Sequence, residues 1–530
     1  MTLRKWFVFG TALMMTASVL TGAAVYADES GASQINSDPI NETVTDEKIT
    51  LALMSEPSTL WGAGTGKLEN EDVYISSALF DTLVVLDQEA WEVKPSLATE
   101  WEWVDDTHCR FTLRDDVQMT DGSLMTADDV VYSVNVWMEQ SASTDTGRYL
   151  AGAVADDEHT VTIEFNVEAP DMLIMMAWPQ FGIVSEDEVN ALGGYNEAGM
   201  KPVMGSGKYR FVEWKTGEKI LLERNENYWN PDYKGYFKEI EIHFISDGAA
   251  RAMAVQSGDV DVAYDVPLMT ADSAAGSAKE YLYSSGQLAH LWFNMGENAG
   301  PTKDIKVRQA IDKGLDYQAI SSVATAGHDV TQQLGYAGTD SPYYNPVWTE
   351  EEKAVDIEGA KALLEEAGYA DGLELTITGL NNYSDVYTVM QANLAQIGIK
   401  LNIDMPDTAS FVEKAFGGDY DIIIVGELLK ARAPSVFPFI VRANIEGPGI
   451  VIGGPKWTTD ELDSMVSEFI AAKDVDSAKD IITKIDTSLK EECVCTHLFI
   501  EPKAAICNND IKGFRTRDER AYADLTTFYK

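Results

Sequence analysis

The sequence predicts an α/β protein with more than one lobe, and three observations carry that prediction. From about residue 290 to 425, segments of strand period alternate with segments of helical period, the order expected of a mixed sheet with parallel pairing. The chain of 530 residues is too long for a single hydrophobic core. Its hydrophobic content of 45%, with 18 Phe and 22 Tyr, supplies ample core and argues against a disordered chain.

The chain opens with Arg4 and Lys5, then an apolar run, Trp6 to Leu20, too short and too closely followed by small residues for a membrane span. Val25-Tyr26-Ala27 offers a signal-peptidase site, so residues 1–27 read as a secretory signal peptide. Leu20-Thr21-Gly22 looks like the start of a lipoprotein box, but Ala23 stands where the lipidated Cys belongs. Either the protein is released without lipid or that position was altered; no anchor is expected at residue 23. Residues 28–47 are polar and acidic and read as a disordered tether.

Order is expected from the alternating strand Ile49 to Leu53. Thr126 and Asp129 make a capping-box-like start to a helix carrying Val130, Val134, Trp137 and Met138. Val161 to Phe165 alternates as a strand, and Tyr209–Trp214 with Lys219–Arg224 reads as a hairpin turned through Thr216-Gly217-Glu218. Val307, Ile311, Gly314 and Leu315 form a helical stripe. Asp356 caps a helix stopped at Gly368, the strand Leu373–Thr378 follows, a helix through Val386 and Met390 stops at Gly398, and Ile399–Met405 alternates again.

The net charge of −46, with a pI near 4.3, excludes nucleic acid as a partner, because phosphate binding needs clustered Lys and Arg. Two readings of the charge stay open: solubility through self-repulsion, or a cation-capturing surface. Cys495 and Cys507 flank an expected hairpin at Glu501-Pro502-Lys503 and could face each other; equally, all four cysteines could be small buried hydrophobes. No Cys-x-x-Cys is present, and the six histidines (108, 159, 243, 290, 328 and 497) show no metal-ligand spacing. No metal and no cofactor is therefore expected from sequence, although folding can bring distant ligands together. Gly-x-Ser-x-Gly and His-Glu-x-x-His are missing, so an enzyme is not expected. The run Gly62 to Lys67 is superficially like a phosphate loop but fails on spacing, and Leu68 replaces the required Ser or Thr.

Long ordered motifs are more specific than any of these. They are Pro95-Ser-Leu-Ala-x-x-Trp101, Leu113-Arg-Asp115, Asp121-Gly122, Thr126-Ala-Asp-Asp-Val130, Gly205-x-Gly-x-Tyr209, Arg224-Asn-x-x-Tyr-Trp229, Ser257-Gly-Asp-Val-Asp261, the helix Asp304–Asp316, Gln391–Ile399 and Lys512-Gly-Phe514. Together they resemble the extracytoplasmic solute-binding proteins of ABC transporters, in the family of oligopeptide, dipeptide and nickel binders. The resemblance runs from about Ile49 to Phe514.

It implies a two-lobed periplasmic-binding-protein-like fold (type II, the large three-subdomain class) with central mixed sheets. Lobe I would comprise 48–75, 205–285 and 491–530, with an extra subdomain at 76–204, and lobe II would be 286–490. Two crossing segments would act as a hinge, and a solute would bind between the lobes. A monomer delivering a peptide-class solute to membrane permease subunits is implied, held outside the cell. An oligosaccharide or acidic small solute is the alternative, and a secreted hydrolase the rival class. Arg114, Asp121 and Arg308 are expected to be scaffold. Aromatics expected near the cleft rims are Trp61, Tyr383 and Phe437, each open to a core or a ligand-stacking role.

Peptide-binding members carry Tyr-Asp, then Gly-Trp, then an Asp that pairs with the peptide ammonium. Counted without gaps from Tyr420-Asp421, this chain has Gly426, then Glu427 for the Trp and Lys430 for the Asp. An ammonium would meet a like charge there. Glu427 is the candidate substitute acid, and Lys430 with Arg432 the candidate receptor for an acidic or polyhydroxylated solute. A local insertion that shifts the alignment is the competing explanation.

Overall fold

In this computed structural model the described residues are 44–61, 70–87, 91–141, 149–166, 168, 172–195, 205–233, 235–296, 299–329, 331–339, 341–428, 459–472, 474–517 and 522–530. The expected signal peptide at 1–27, most of the expected tether at 28–47, the run Gly62 to Lys67, Lys430, Arg432 and Phe437 lie outside them. The main strands among the described residues are β1 (Lys48–Leu53), β2 (Val84–Asp87), β3 (Glu92–Pro95), β4 (Ala98–Trp103), β5 (His108–Leu113), β6 (Leu150–Asp157), β7 (Thr160–Phe165), β8 (Tyr209–Lys215), β9 (Lys219–Arg224), β10 (Glu239–Phe244), β11 (Val262–Val266), β12 (Lys279–Phe293), β13 (Leu373–Thr378), β14 (Ile399–Asp404), β15 (Ile422–Leu428) and β16 (Cys495–Cys507).

Local chemistry sets the element ends. Asp129 accepts the Thr126 backbone N–H at 2.8 Å, reaching back to start the helix Ala127–Ser141. Asp356 accepts from the Gly359 N–H at 2.8 Å and starts the helix Ile357–Glu366, beyond which Gly368 takes φ +88°. Gly398, at φ +86°, follows the helix Ser384–Ala395 and releases the chain into β14, which runs parallel to β13 with Leu373 opposite Ile399. Arg114 pairs with Asp116 and lies over the Trp229 ring, and buried Arg308 donates to the carbonyls of Thr302, Lys303, Glu492 and Cys493. Both arginines hold the scaffold.

Ten strands form one sheet in the order β14-β13-β15-β12-β16-β11-β1-β10-β9-β8, and β4-β5-β7-β6 form a separate antiparallel sheet. The large sheet is joined through two long strands, β12 and β16, whose pairing is interrupted near its middle between Ser284 and Leu288 and shifts again between Ala289 and His290. Lys279 to Ser284 pair with Cys507 to Pro502; the ladder resumes with Leu288 opposite Ile500 and ends with Trp292 opposite Cys495. β11 attaches to residues 504–507 of β16, on one side of the break, and β15 to residues 287–293 of β12, on the other. At the break Gly286 has φ +70°, and the hydroxyls of Ser284 and Ser285 accept the N–H groups of Gly286 and Gln287.

The hairpin expected at Glu501-Pro502-Lys503 does not form. β16 runs straight through Pro502, which lacks an N–H and sits at the edge of the break, where the ladder is already interrupted. Cys495 and Cys507 are therefore buried at opposite ends of one 13-residue strand, about 40 Å apart at ~3.3 Å per residue, and do not face each other.

Strand alternation sorts the core into layers. One face of both sheet halves lies in a single large cluster that includes Tyr281, Tyr283, Leu288 and Trp292. The opposite face carries two separate clusters, one around Leu282 and Val255, the other around Leu291 and Ile311. Among the described residues no helix is long and apolar enough to cross a membrane.

Candidate functional site

Polar groups concentrate beside the break in the sheet. Asp265, on β11, adopts φ +50°, a left-handed conformation that is strained for a residue with a Cβ. Arg251, almost fully buried, holds it there: its guanidinium donates to the carbonyls of Tyr264 (3.0 Å), Asp265 (2.5 Å), Ile245 (2.6 Å) and Ser246 (3.0 Å). The bent backbone aims the Asp265 carboxylate at Lys503 Nζ on β16, 3.1 Å away. Burial works against the Lys503 charge, but the Asp265 carboxylate and the neighbouring Tyr283 outweigh it and hold the ammonium above its ordinary range.

Two further carboxyls face the same ammonium. Glu71, buried on the helix Asn70–Leu79, has its carboxyl pushed up by burial, with the nearby Asp265 charge adding to the effect; among the described residues its Oε1 has no hydrogen-bond partner. Glu501 is also pushed up by burial, against the Lys503 charge and hydrogen bonds from Tyr383 and Asn382. Three acids thus face two cations, Lys503 and the Arg251 guanidinium, which is tied by hydrogen bonds to four carbonyls but still lies within reach of the Asp265 and Glu71 charges. The wall behind them is aromatic: Tyr74 stacks on Tyr264 at 5.5 Å, with Tyr283 beside them in the same core cluster. The arrangement can hold one more positive group.

Tyr383 brings the other half of the sheet to this place. Its ring meets Phe499 edge-on at 5.8 Å, and its hydroxyl bonds to Glu501. Gly426 on β15 makes the approach available: a Cβ there would stand 2.9 Å from Tyr383 Oη and 3.3 Å from Gln287 Oε1.

The other sequence-predicted residues are distributed as follows. Trp61 is fully buried, with its indole N–H donating to the Gly182 carbonyl at 3.3 Å. Glu427 follows Gly426 on β15, opposite Leu288, and its side chain is outside the described residues. Lys430, Arg432 and Phe437 are outside them altogether. Sequence reasoning missed Glu71, Asp265, Glu501 and Lys503. Only the last two carried a signal, the Glu-Pro-Lys run that reads as a turn.

The sequence profile of the "Bacterial extracellular solute-binding proteins, family 5 Middle" matches residues 92–439. The periplasmic oligopeptide-binding protein OppA of Salmonella typhimurium is 21% identical over 474 residues, covering 84% of this chain and 86% of its own. Among solved structures, the periplasmic binding protein DppA from Helicobacter pylori, in complex with the peptide STSA, has a TM-score of 0.74 at 20% identity and covers 91% of this chain and 98% of its own. The substrate-binding protein CtaP of Listeria monocytogenes reaches 0.79 at 20% identity, covering 92% and 99%. These likenesses carry the fold: a two-lobed binding protein built around a large mixed sheet.

Proposed function

The chain belongs to the family-5 bacterial extracellular solute-binding proteins, and from that premise we propose that it captures a peptide-class solute between its lobes and delivers it to the permease of an ABC importer. The lobes meet where β12 and β16 break register, with lobe II formed by the insert from about residue 286 to 490. The protein acts as an exported monomer and breaks no bond.

The observation that carries this reading is the surplus of acid at the break. Glu71, Asp265 and Glu501 face two cations, the Lys503 ammonium and the Arg251 guanidinium, leaving one carboxyl in excess. A solute bearing a terminal ammonium would restore the balance, and the buried carboxyls would favour it more than exposed ones. Tyr383, reaching Glu501 from the other half of the sheet, would couple occupancy to closure. That OppA and DppA are named or solved as peptide binders supports the solute class.

A thermal-shift screen with matched free-amine and N-acetylated peptides, alongside oligosaccharides and acidic solutes, tests it. Free-amine peptides should raise the melting temperature and their acetylated forms should not. Stabilisation by sugars or acids alone would reverse the assignment, and peptide cleavage abolished by Glu501→Gln would move the protein to the hydrolases.

A further inference from the structure

On the sheet face opposite this site, the two half-sheet clusters leave a seam, and three metal-ligating side chains meet across it. Glu280, near the start of β12, lies on the same side as Leu282 and the cluster around it. Asp272 comes from the helix Leu268–Ala274 over that cluster. His328 comes from the other half, just beyond the helix Tyr317–Ala324, whose Tyr317 and Ile320 belong to the second cluster. A sharp turn delivers it: Ala326 and Gly327 both take positive φ (+52° and +86°). One ligand atom from each of Asp272, Glu280 and His328 lies within 4.8 Å of the others.

We propose that Asp272, Glu280 and His328 form a divalent transition-metal site, of the zinc class, that bridges the two halves of the sheet. Two observations beyond the cluster itself support it. Glu280 is only 8% exposed, and among the described residues its Oε1 has no hydrogen-bond donor, an expense that a cation would remove. Asp272 Oδ1 stands 2.9 Å from His328 Nε2, so an imidazole nitrogen and a carboxylate oxygen already converge beside that orphaned oxygen. Without a cation, the carboxyls of Glu280 and Asp272 repel. One imidazole and two carboxylates suit zinc or manganese better than calcium or magnesium, which take oxygen ligands. This inference is independent of the solute assignment.

Isothermal titration of the chelator-treated, full-length protein with Zn2+ tests the site, with Glu280→Gln and His328→Ala as variants. We expect one tight equivalent per chain, a rise in melting temperature with Zn2+, and at least about tenfold weaker binding in each variant. Excess Ca2+ and Mg2+ should not compete. Glu280→Gln preserves shape and removes the charge, so its metal-free melting temperature should stay level or rise; this separates lost ligation from lost folding. Absence of a stoichiometric site, or zinc uptake that both folded variants retain in full, as scattered surface carboxylates would give, overturns the proposal.

Discussion

Lys503 meets Asp265 at 3.1 Å where β11 loses register against β16. The contact depends on an uncommon backbone: only with Asp265 at φ +50°, fixed by Arg251 through four carbonyls, does the carboxylate turn toward the strand that joins the two halves. A charged pair, a strained residue and a buried guanidinium therefore form one unit.

That unit separates charge from conformation. Asp265→Asn keeps a residue that tolerates left-handed φ and removes only the charge, leaving Lys503 half-paired; it should cost about 1–3 kcal/mol. Asp265→Ala loses the charge and also bears the left-handed penalty, roughly 1–2 kcal/mol more. Urea denaturation of both measures the difference. Equal stabilities for the two variants would mean that the backbone at 265 relaxes freely.

Gly426 and Tyr383 should be energetically coupled. Gly426→Ala places a methyl group 2.9 Å from Tyr383 Oη, and overpacking there should cost about 1–3 kcal/mol and weaken solute binding. Tyr383→Phe removes the obstructing oxygen, so the double variant should recover much of the loss. A double-mutant cycle supplies the test, and strict additivity would show that the alanine is accommodated elsewhere.

Acid should destabilise the protein through His290 and His497. Their Nδ1 atoms are 2.8 Å apart in a fully buried site, and burial depresses the pKa of both rings. Folded pKa values below the unfolded value near 6.5 contribute stability that is present above that pH and lost as pH falls through the folded values. Asp486, bonded to His497 at 3.1 Å and raised by burial, acts in the opposite sense as it takes up a proton, but it is one group against two. Each pH unit between the unfolded value and the folded one costs about 1.4 kcal/mol per histidine. Unfolding curves across pH 7 to 5 should therefore slope more gently for His290→Gln than for the parent; parallel slopes would show that His290 titrates normally.

What was legible in the sequence follows the range of the interactions. Asp129 and Asp356 cap helices within three residues, and Gly368 and Gly398 stop helices where they stand, so the elements and the parallel pairing of β13 with β14 could be read directly. Pro502 misled because a missing N–H usually marks a turn. Here the break in β12 opposite it absorbs the defect, and that partner lies more than two hundred residues away. The site was illegible for a related reason. Glu71, Asp265 and Glu501 are scattered along the chain, and a positive φ at an aspartate has no signature in composition or period. The motif-based reading instead pointed at residues after Gly426, of which Glu427 is on β15 and Lys430, Arg432 and Phe437 lie outside the described residues.

Gly286 offers a direct test of the break as a hinge. Its φ of +70° makes any other L-residue there strained, by roughly 1–2 kcal/mol, but strain alone would lower stability without saying anything about motion. Gly217 provides the control: it has the same φ, +70°, with open space around its Cα, in the turn between β8 and β9 far from the break. Gly217→Ala and Gly286→Ala should lower the melting temperature comparably. Only Gly286→Ala should also weaken solute binding, by about 5- to 30-fold if the strain falls mainly on the closed form, and reduce the contraction seen by small-angle scattering on adding solute. Equal binding in the two variants would place the pivot elsewhere, because a residue that does not change conformation during closure cannot discriminate between the open and closed states.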